Sequence, residues 1–214
     1  IHTGRLDEAE IKEEIEKIKP MAVFDATHPF AVQVTENIKN ACEKTTTKYI
    51  RIKRDKENYN LVNREKVRSA GSAEEAAIIL SAPCYKNKKV LLTTGSKTVG
   101  IYSHLEGFKD NYYLRMLPNV QMLGEVLKSG IKNSNVKCMQ GPFSENMNYE
   151  MIKNYGIEVM VTKNSGNTGG TQEKINAAMR AGTEVIIIED TGSDECIGIG
   201  LSEALKYITE IVEK

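Results

Sequence analysis

The chain has 214 residues, of which 40% are hydrophobic and 27% are charged, so it can bury a core as one large domain or as two smaller ones. Basic and acidic residues are equal at 29 each, and the formal net charge is zero. No overall positive field therefore draws this protein to nucleic acid or to an anionic membrane. The longest apolar runs, such as residues 185–188, are far shorter than the roughly 20 residues that a membrane-spanning helix needs. We expect neither nucleic acid nor a membrane among its partners.

The cysteines and the first residues indicate the class of protein. The four cysteines are far apart, form no Cys-x-x-Cys pair and have no neighbouring histidine: Cys42, Cys84, Cys138 and Cys196. This spacing argues against a disulfide framework and against a zinc site, and it predicts buried free thiols in a cytoplasmic protein. The chain opens with Ile1 and shows no initiator methionine and no signal-peptide pattern, so we expect that its natural N-terminus is absent.

Short β-branched apolar runs alternate with longer amphipathic stretches along nearly the whole chain, which is typical of βα units that form a mostly parallel sheet. The first part is predicted to contain a helix, a strand, a helix and a strand, at residues 7–19, 21–24, 29–41 and 49–52. Residues 54–68 are rich in charge and asparagine and predict an exposed crossing between two domains. We place the boundary near Asn63, which gives an N-terminal domain at 1–62 and a C-terminal domain at 63–214.

The second part repeats the same unit at a regular interval. Strands are predicted to begin near five residues: Val90, Tyr112, Val136, Glu158 and Glu184. The intervals of 22, 24, 22 and 26 residues fit a strand, a helix and two short loops. Helices are predicted over residues 73–81 and 202–212. The predicted fold class is therefore α/β, with two Rossmann-like domains, mostly parallel sheets and a cleft between the domains.

Ligands of open α/β sheets bind beyond the carboxyl ends of the strands, where loops and helix N-termini present N–H groups. The loop at residues 25–30 is one candidate, because its proline stiffens the turn and keeps His28 out of helical geometry. Thr27 and His28 either contact a ligand or cap the following helix. The loop at residues 93–97 offers two hydroxyls, a glycine and a lysine directly after a strand, which suits either an anion or a plain strand-to-helix turn.

Two later loops are also polar. Residues 140–143 contain a Gly-Pro turn before a predicted helix, which is ordinary turn chemistry when taken alone. Residues 162–170 carry three glycines with Asn, Ser and Thr, and Lys163 adds a positive charge, so this loop can form a cradle of N–H donors for an anion. It fits neither the G-x-G-x-x-G nor the Walker pattern. The acidic residues within 189–195 indicate a solvated rim, and no metal is expected.

Four polar segments follow one another along the chain: Asp-Ala-Thr-His-Pro-Phe-Ala at 25–31, Leu-Thr-Thr-Gly-Ser at 92–96, Gly-Pro-Phe at 141–143 and Val-Thr-Lys-Asn-Ser-Gly at 161–166. Together they resemble the signature loops of the precorrin-6A reductase family. The resemblance runs from about Gly4 to the end of the chain. It departs from the family at Gln140, where members often have Arg, and at Asp55, where they often have Pro. The family begins with a strand, a Gly-Gly-Thr loop and a helix that we expect to be missing here.

The resemblance implies an NADH- or NADPH-dependent enzyme that reduces the precorrin-6A or cobalt-precorrin-6A macrocycle to precorrin-6B in cobalamin biosynthesis. Hydride transfer from the cofactor needs no covalent protein nucleophile. His28 is the candidate proton donor, unless it only orients its loop. The candidates for cofactor binding are Thr27, Thr94, Gly95 and Ser96. The candidates for substrate binding are Arg51, Lys97, Gln140, Gly141, Lys163, Asn164, Ser165 and Gly166.

Two other functions remain open. A non-catalytic module could use the same loops to bind a nucleotide or a tetrapyrrole, and consumption of the nicotinamide cofactor would distinguish a reductase from it. An S-adenosylmethionine-dependent methyltransferase is disfavoured, because no Gly-rich loop follows an early strand. The partners that we expect are the tetrapyrrole substrate and other enzymes of the cobalamin pathway, with the protein as a monomer or a homodimer.

Overall fold

The computed structural model describes residues 6–27, 31–53, 64–165, 169–189 and 198–212. Helices and strands alternate along these ranges. In chain order they are α1 (Glu8–Ile18), β1 (Ala22–Asp25), α2 (Val32–Lys44), β2 (Lys48–Lys53), β3 (Val67–Ala70), α3 (Ala73–Leu80), β4 (Val90–Leu92), α4 (Val99–Tyr102), α5 (Phe108–Asn111), β5 (Tyr112–Met116), α6 (Val120–Lys128), β6 (Val136–Cys138), α7 (Glu145–Tyr155), β7 (Val159–Lys163), α8 (Thr171–Ala181), β8 (Glu184–Ile188), β9 (Gly198–Gly200) and α9 (Leu201–Val212). The five strand starts predicted from the regular interval lie within one residue of those observed.

The chain divides into two compact units, and the first consists of residues 1–57 and 192–214. Its sheet has the strand order β1-β2-β9, and both pairs of strands are parallel. The structure differs here from the prediction, which assigned the C-terminal residues to the second domain. The pairing of Arg51 with Gly198 joins β9 to the edge of β2 and returns the end of the chain to the first unit. A three-residue strand with two glycines gives little sequence signal, since glycine is depleted in strands.

The second unit, residues 58–191, contains a six-stranded sheet in the order β3-β8-β7-β4-β5-β6. Every neighbouring pair in this sheet is parallel, which confirms the predicted α/β class with two parallel sheets. β3 was not predicted, because it begins inside the stretch that reads as an exposed crossing. It forms the edge of the sheet, where Arg68 and Ser69 are exposed, so only the partly buried Val67 and the buried Ala70 give an apolar signal.

Local sequence signals set the ends of the helices. Asp7 caps α1 in a capping box, in which its side chain accepts a hydrogen bond from the N–H of Glu10 and the Glu10 carboxylate accepts one from the N–H of Asp7. The Ser144 hydroxyl caps the start of α7. Gly156 follows the same helix at φ 64, a left-handed conformation that favours glycine. These signals lie in the printed sequence and explain why the predicted helices were largely correct.

The core of the second unit is formed by apolar side chains from the sheet and from α7 and α8. Its buried members are Leu91, Met151, Ile152, Ile157, Met160, Ile175, Ala177, Ala178, Val185 and Ile187. A smaller core in the first unit is formed by Ile15, Ala41 and Cys42. Across the ranges that the structure describes, no helix combines the length and the apolar character that a membrane span requires.

The three cysteines within the described residues are free but not uniformly buried. Cys42 is buried, as predicted, whereas Cys84 and Cys138 are exposed and the prediction was wrong for them. Cys84 lies in a short turn before β4, and Cys138 ends β6 at the edge of the sheet, so neither side chain reaches the core. Cys196 lies outside the described residues.

Two buried tyrosines differ in whether their hydroxyls have partners. Tyr85 donates a hydrogen bond to the Glu184 carboxylate, whereas the Tyr102 hydroxyl is buried and has no partner among the described residues.

We expect Tyr85→Phe to lower the free energy of unfolding by roughly 1.5–3 kcal/mol, because a hydrogen bond to a charged group is lost. Tyr102→Phe should leave this free energy unchanged or raise it. Urea denaturation measures both effects, and a larger loss for Tyr102→Phe would contradict this description.

Candidate functional site

In the second sheet, β4 is followed by β5 and β6 towards one edge, whereas β7 and β8 lie towards the other edge. The order of the strands therefore changes direction between β4 and β7. β4 pairs with β5 on one side, and β7 pairs with β8 on the other, while β4 and β7 pair with each other. Such a switch point opens a crevice between the two loops that leave the strands. The loops at 93–97 and 162–170, both predicted to bind ligand, therefore begin on neighbouring strands.

The loop after β4 is fixed to the neighbouring strand and then turns. Thr93 donates hydrogen bonds from its N–H and from its hydroxyl to the carbonyl oxygen of Val161, at 2.9 and 3.0 Å. The hydroxyl oxygens of Thr94 and Thr98 are 2.8 Å apart and share a hydrogen bond. Gly95 has φ 85, which a residue with a Cβ atom rarely adopts. The backbone of this loop is thus held in one conformation at the switch point.

The loop after β7 is also held by its own hydrogen bonds. Asn164 donates from its N–H to a carbonyl oxygen of β8 at 2.8 Å and from its side chain to the Glu189 carboxylate at 2.7 Å. The Ser165 N–H donates to the Thr171 hydroxyl at 3.1 Å. A Cβ atom at Gly169 would lie 2.2 Å from the Ser165 Cβ, so only glycine fits there. Some of the hydrogen-bond donors that were predicted to bind a ligand therefore bind other groups of the protein and hold the loop in shape.

Lys97 and Lys163 bring two positive charges to the switch point. Lys97 follows β4 and is exposed, and Lys163 ends β7 and is partly buried. Burial and the nearby charge of Lys97 both lower the pKa of Lys163. An anionic group near the two lysines would relieve their repulsion. Neighbouring lysines and the hydroxyl of Ser96 offer donors to the oxygen atoms of an anionic group.

The loop after β6 lies farther along the same edge, beyond β5. Gln140 and Gly141 are exposed there. A Cβ atom at Gly141 would lie 3.1 Å from the Phe143 ring, so a larger residue would displace that ring. The ring stacks on Arg115, whose Cζ atom is 4.3 Å from the ring centre, and the Phe143 carbonyl oxygen accepts a hydrogen bond from Asn148 at 3.3 Å. The Gly-Pro-Phe turn is therefore anchored to β5 and α7.

In the first unit, Arg51 holds a buried carboxylate at the carboxyl ends of β1 and β2. Asp25 is 1% exposed and the Arg51 side chain is 12% exposed, and Nη1 of Arg51 lies 2.5 Å from Oδ2 of Asp25. Arg51 also donates to the hydroxyls of Thr27 and Thr35, at 2.8 and 3.1 Å, and to the carbonyl oxygen of Thr27 at 3.2 Å. Arg51 and Thr27 were both predicted to contact ligands. The structure shows in addition that they bind each other.

The charge of Asp25 is set by this network. Burial alone would raise the pKa of Asp25, but hydrogen bonds from Thr27 and Tyr49 and the charge of Arg51 outweigh it, so the pKa lies below its usual value. Tyr49 contributes a hydrogen bond of 2.8 Å. Asp25 and Arg51 are partners in the strand register, so the pairing of β1 with β2 is the signal that could have found the ion pair.

Sequence reasoning also missed two buried cations, Arg115 and Lys174, which adjoin the loops after β6 and β7. Arg115 stands between Leu114 and Met116 in β5, and Lys174 precedes Ile175 in α8. For Arg115, a cation inside an apolar run is the signal that could have found it, because arginine is rarely buried without a reason. Lys174 follows Gln172 and Glu173, so the sequence gives no such signal for it.

Some predicted site residues lie outside the described residues. They are His28, Gly166 and the acidic residues at 190, 194 and 195. The proposed roles of His28 and Gly166 therefore stay predictions. Within the described ranges, no group of three or more His, Cys, Asp or Glu side chains could hold a metal ion.

Comparison with known proteins gives the family. The family model for precorrin-6x reductase CbiJ/CobK matches residues 1–209. The cobalt-precorrin-6A reductase of Methanothermobacter thermautotrophicus is 35% identical over 188 residues, which cover 87% of this chain and 60% of the relative. The cobalt-precorrin-6A reductase of Methanocaldococcus jannaschii is 33% identical over 210 residues, which cover 98% of this chain and 80% of the relative. This chain thus spans 60% to 80% of the length of these two relatives.

A solved structure shares the architecture. The structure of CobK precorrin-6A reductase superposes with a TM-score of 0.71 and covers 97% of this chain and 80% of its own chain. The two sequences are 22% identical, so this likeness shows the fold alone. The family model covers nearly all of the sequence, and the match to the relative from Methanocaldococcus jannaschii covers 98% of this chain. The chain therefore belongs to the precorrin-6x reductase family.

Proposed function

We propose that the protein reduces the precorrin-6A or cobalt-precorrin-6A macrocycle to precorrin-6B, or to its cobalt form, with NADH or NADPH in cobalamin biosynthesis. The observation that carries this proposal is the adjacency of the loops after β4 and β7, two of the four family-like segments, with Lys97 and Lys163 at the switch point. The names of the two methanogen relatives support the substrate class.

In the proposed reaction, the bound nicotinamide supplies the hydride, and the residues of this chain bind, orient and protonate. Thr27, Thr94, Gly95 and Ser96 bind the cofactor. Arg51 contributes by fixing the hydroxyl and the carbonyl group of Thr27.

The macrocycle carries several carboxylates, so its proposed contacts are cations and polar groups. They are Arg51, Lys97, Gln140, Gly141, Lys163, Asn164, Ser165 and Gly166, with His28 as the proton donor. The proposed partners are this tetrapyrrole and the other enzymes of the pathway, with the protein as a monomer or a homodimer.

An anaerobic assay tests the activity. The purified full-length protein is given precorrin-6A or cobalt-precorrin-6A, each with NADH or NADPH, and we expect absorbance at about 340 nm to fall for at least one combination. If absorbance stays constant in all four while the macrocycle still binds, the reductase proposal fails and a non-catalytic binding module replaces it.

Replacing Lys163 by Ala tests the role of the lysine pair. We expect the variant to bind the nicotinamide cofactor or the macrocycle more weakly by roughly 1–3 kcal/mol, because a charge-assisted hydrogen bond is lost. Lys128→Ala is the matched control, since Lys128 is exposed at the end of α6. Titration calorimetry measures the affinities and thermal unfolding measures the stability. A large drop in melting temperature at unchanged affinity would show that Lys163 supports the fold instead.

A further inference from the structure

Two cations that the proposed reaction does not use are buried near each other in the second unit. Arg115, near the end of β5, is 6% exposed, and Lys174, in the first turn of α8, is 8% exposed. Their charges interact, since Arg115 contributes to the lowered pKa of Lys174. Buried lysine and arginine are normally paired with a carboxylate. The hydrogen-bond partners of Arg115 and Lys174 show whether the structure provides one.

Both cations contact neutral groups. Nη1 of Arg115 donates to Oδ1 of Asn148 at 2.7 Å, and the guanidinium lies on the Phe143 ring. Nζ of Lys174 donates to the carbonyl oxygen of Gly169 at 2.7 Å. In the part of the chain that the structure describes, neither cation forms a salt bridge.

The local charge is therefore not balanced. Burial lowers the pKa of Arg115 to about 10, and burial together with Arg115 lowers the pKa of Lys174 to about 8. Glu173 opposes this shift but does not reverse it. Arg115, Lys174 and Glu173 together carry a net positive charge. Burying this charge is unfavourable unless an anion binds to the two cations.

Arg115 also has donors that face no described group. Its polar contacts use Nη1, while Nε and Nη2 carry further N–H donors. Among the described side chains, the buried nitrogen and oxygen atoms without a partner are Oη of Tyr102 and Oε2 of Glu173. Nε and Nη2 of Arg115 are not among them, so these atoms still contact solvent and can receive a small anion.

We propose that Arg115 and Lys174 bind one oxyanion, a carboxylate or phosphate group of a small ligand, at the end of β5 and the start of α8. α8 has 11 residues and its N-cap, Gly170, provides no side-chain cap, so the first N–H groups of the helix add to the positive potential, while the Glu173 carboxylate at the same helix start reduces it. Phe143 connects this site to the Gly-Pro-Phe turn, because its ring lies on Arg115. The site does not depend on whether the protein is a reductase.

Inorganic pyrophosphate and succinate are the probes, because they represent a phosphate source and a carboxylate source. Titration calorimetry at pH 7 and at constant ionic strength, set with sodium chloride, measures their Kd values. We expect at least one probe to bind, and Arg115→Met and Lys174→Met each to raise its Kd about tenfold or more. Lys153→Met removes an exposed charge from α7 and should change Kd less than about twofold.

Lys174→Met should fold even if Arg115→Met does not, since it removes one hydrogen bond to Gly169, whereas Arg115→Met removes both the bond to Asn148 and the contact with the Phe143 ring. Tighter binding of pyrophosphate assigns the site to a phosphate, and tighter binding of succinate assigns it to a carboxylate. Binding of neither probe, or equal Kd values for Lys174→Met and the parent protein, would overturn the proposal. Because no turnover is measured, its failure leaves the proposed reductase activity untouched.

Discussion

Replacing Asp25 by Asn should lower the free energy of unfolding by about 3–5 kcal/mol, because the change leaves Arg51 largely buried without its negative partner. The Asp25 carboxylate accepts hydrogen bonds from the N–H of Thr27 at 2.9 Å and from Tyr49 at 2.8 Å, besides its ion pair with Arg51. Asparagine keeps the shape and one acceptor oxygen, so the expected loss comes from the charge. Urea denaturation followed by circular dichroism measures it.

Arg51→Met is the matched change on the other side of the pair. It should also destabilise the protein, because it leaves the buried Asp25 carboxylate without its partner. The double variant should lose less free energy of unfolding than the sum of the two single changes. Strictly additive losses would contradict the pairing. The lowered pKa of Asp25 gives a second check. Its contribution to stability is complete above the unfolded pKa of about 3.9 and is lost as pH falls through the folded value, so the effect of Asp25→Asn should shrink in acid.

Lys174→Met should stabilise the protein most below about pH 8, and this gain should disappear as pH rises towards 10.5. The pKa of Lys174 falls from its ordinary value of 10.5 to about 8 in the folded protein. Between these values the unfolded chain binds more protons than the folded one, so the stability of the parent protein rises with pH. Below this window the parent protein bears the whole cost of burying the charge, roughly 3 kcal/mol for a pKa that falls from 10.5 to about 8.

The pH dependence is the decisive measurement for this second change. Methionine also removes the hydrogen bond from Lys174 to Gly169, which costs about 1 kcal/mol at every pH and so does not alter the slope. The neighbouring charges, Arg115 and Glu173, are present in both proteins, so their titration cancels in the difference. Lys153→Met is the control and should show a flat difference from pH 7 to pH 10. A difference for Lys174→Met that is also flat would contradict the buried charge.

The parts of the fold that were predicted from the sequence are those with a strong local pattern. β4, β5, β7 and β8 are apolar runs at regular intervals, and their loops could be located because parallel strands end at one edge of the sheet. β3 and β9 were not predicted because they lack a strong local pattern. Val67-Arg-Ser-Ala70 lies at a sheet edge, and Gly198-Ile-Gly200 is too short and too rich in glycine, so tertiary pairing alone makes them strands.

The candidate site was predicted only as a set of loops. Lys97 and Lys163 were named because each follows or ends an apolar run, and the structure brings their charges together. The supporting residues could not be found this way. Arg115 contacts Phe143 and Asn148, which lie 28 and 33 residues away in sequence. The pattern of a single sequence carries no information about such contacts.

The pairing of β9 with β2 has a consequence for synthesis. The first unit is built from two separated stretches of chain, whereas the second is continuous from 58 to 191. The whole second unit is therefore synthesised before β9, and the interval from Lys53 to Gly198 lasts on the order of ten seconds at about 5–20 residues per second. During this time β2 has an unpaired edge, which is a template for wrong pairing with another nascent chain. The growing protein is thus exposed to misassembly at the free edge of β2 until β9 has been made.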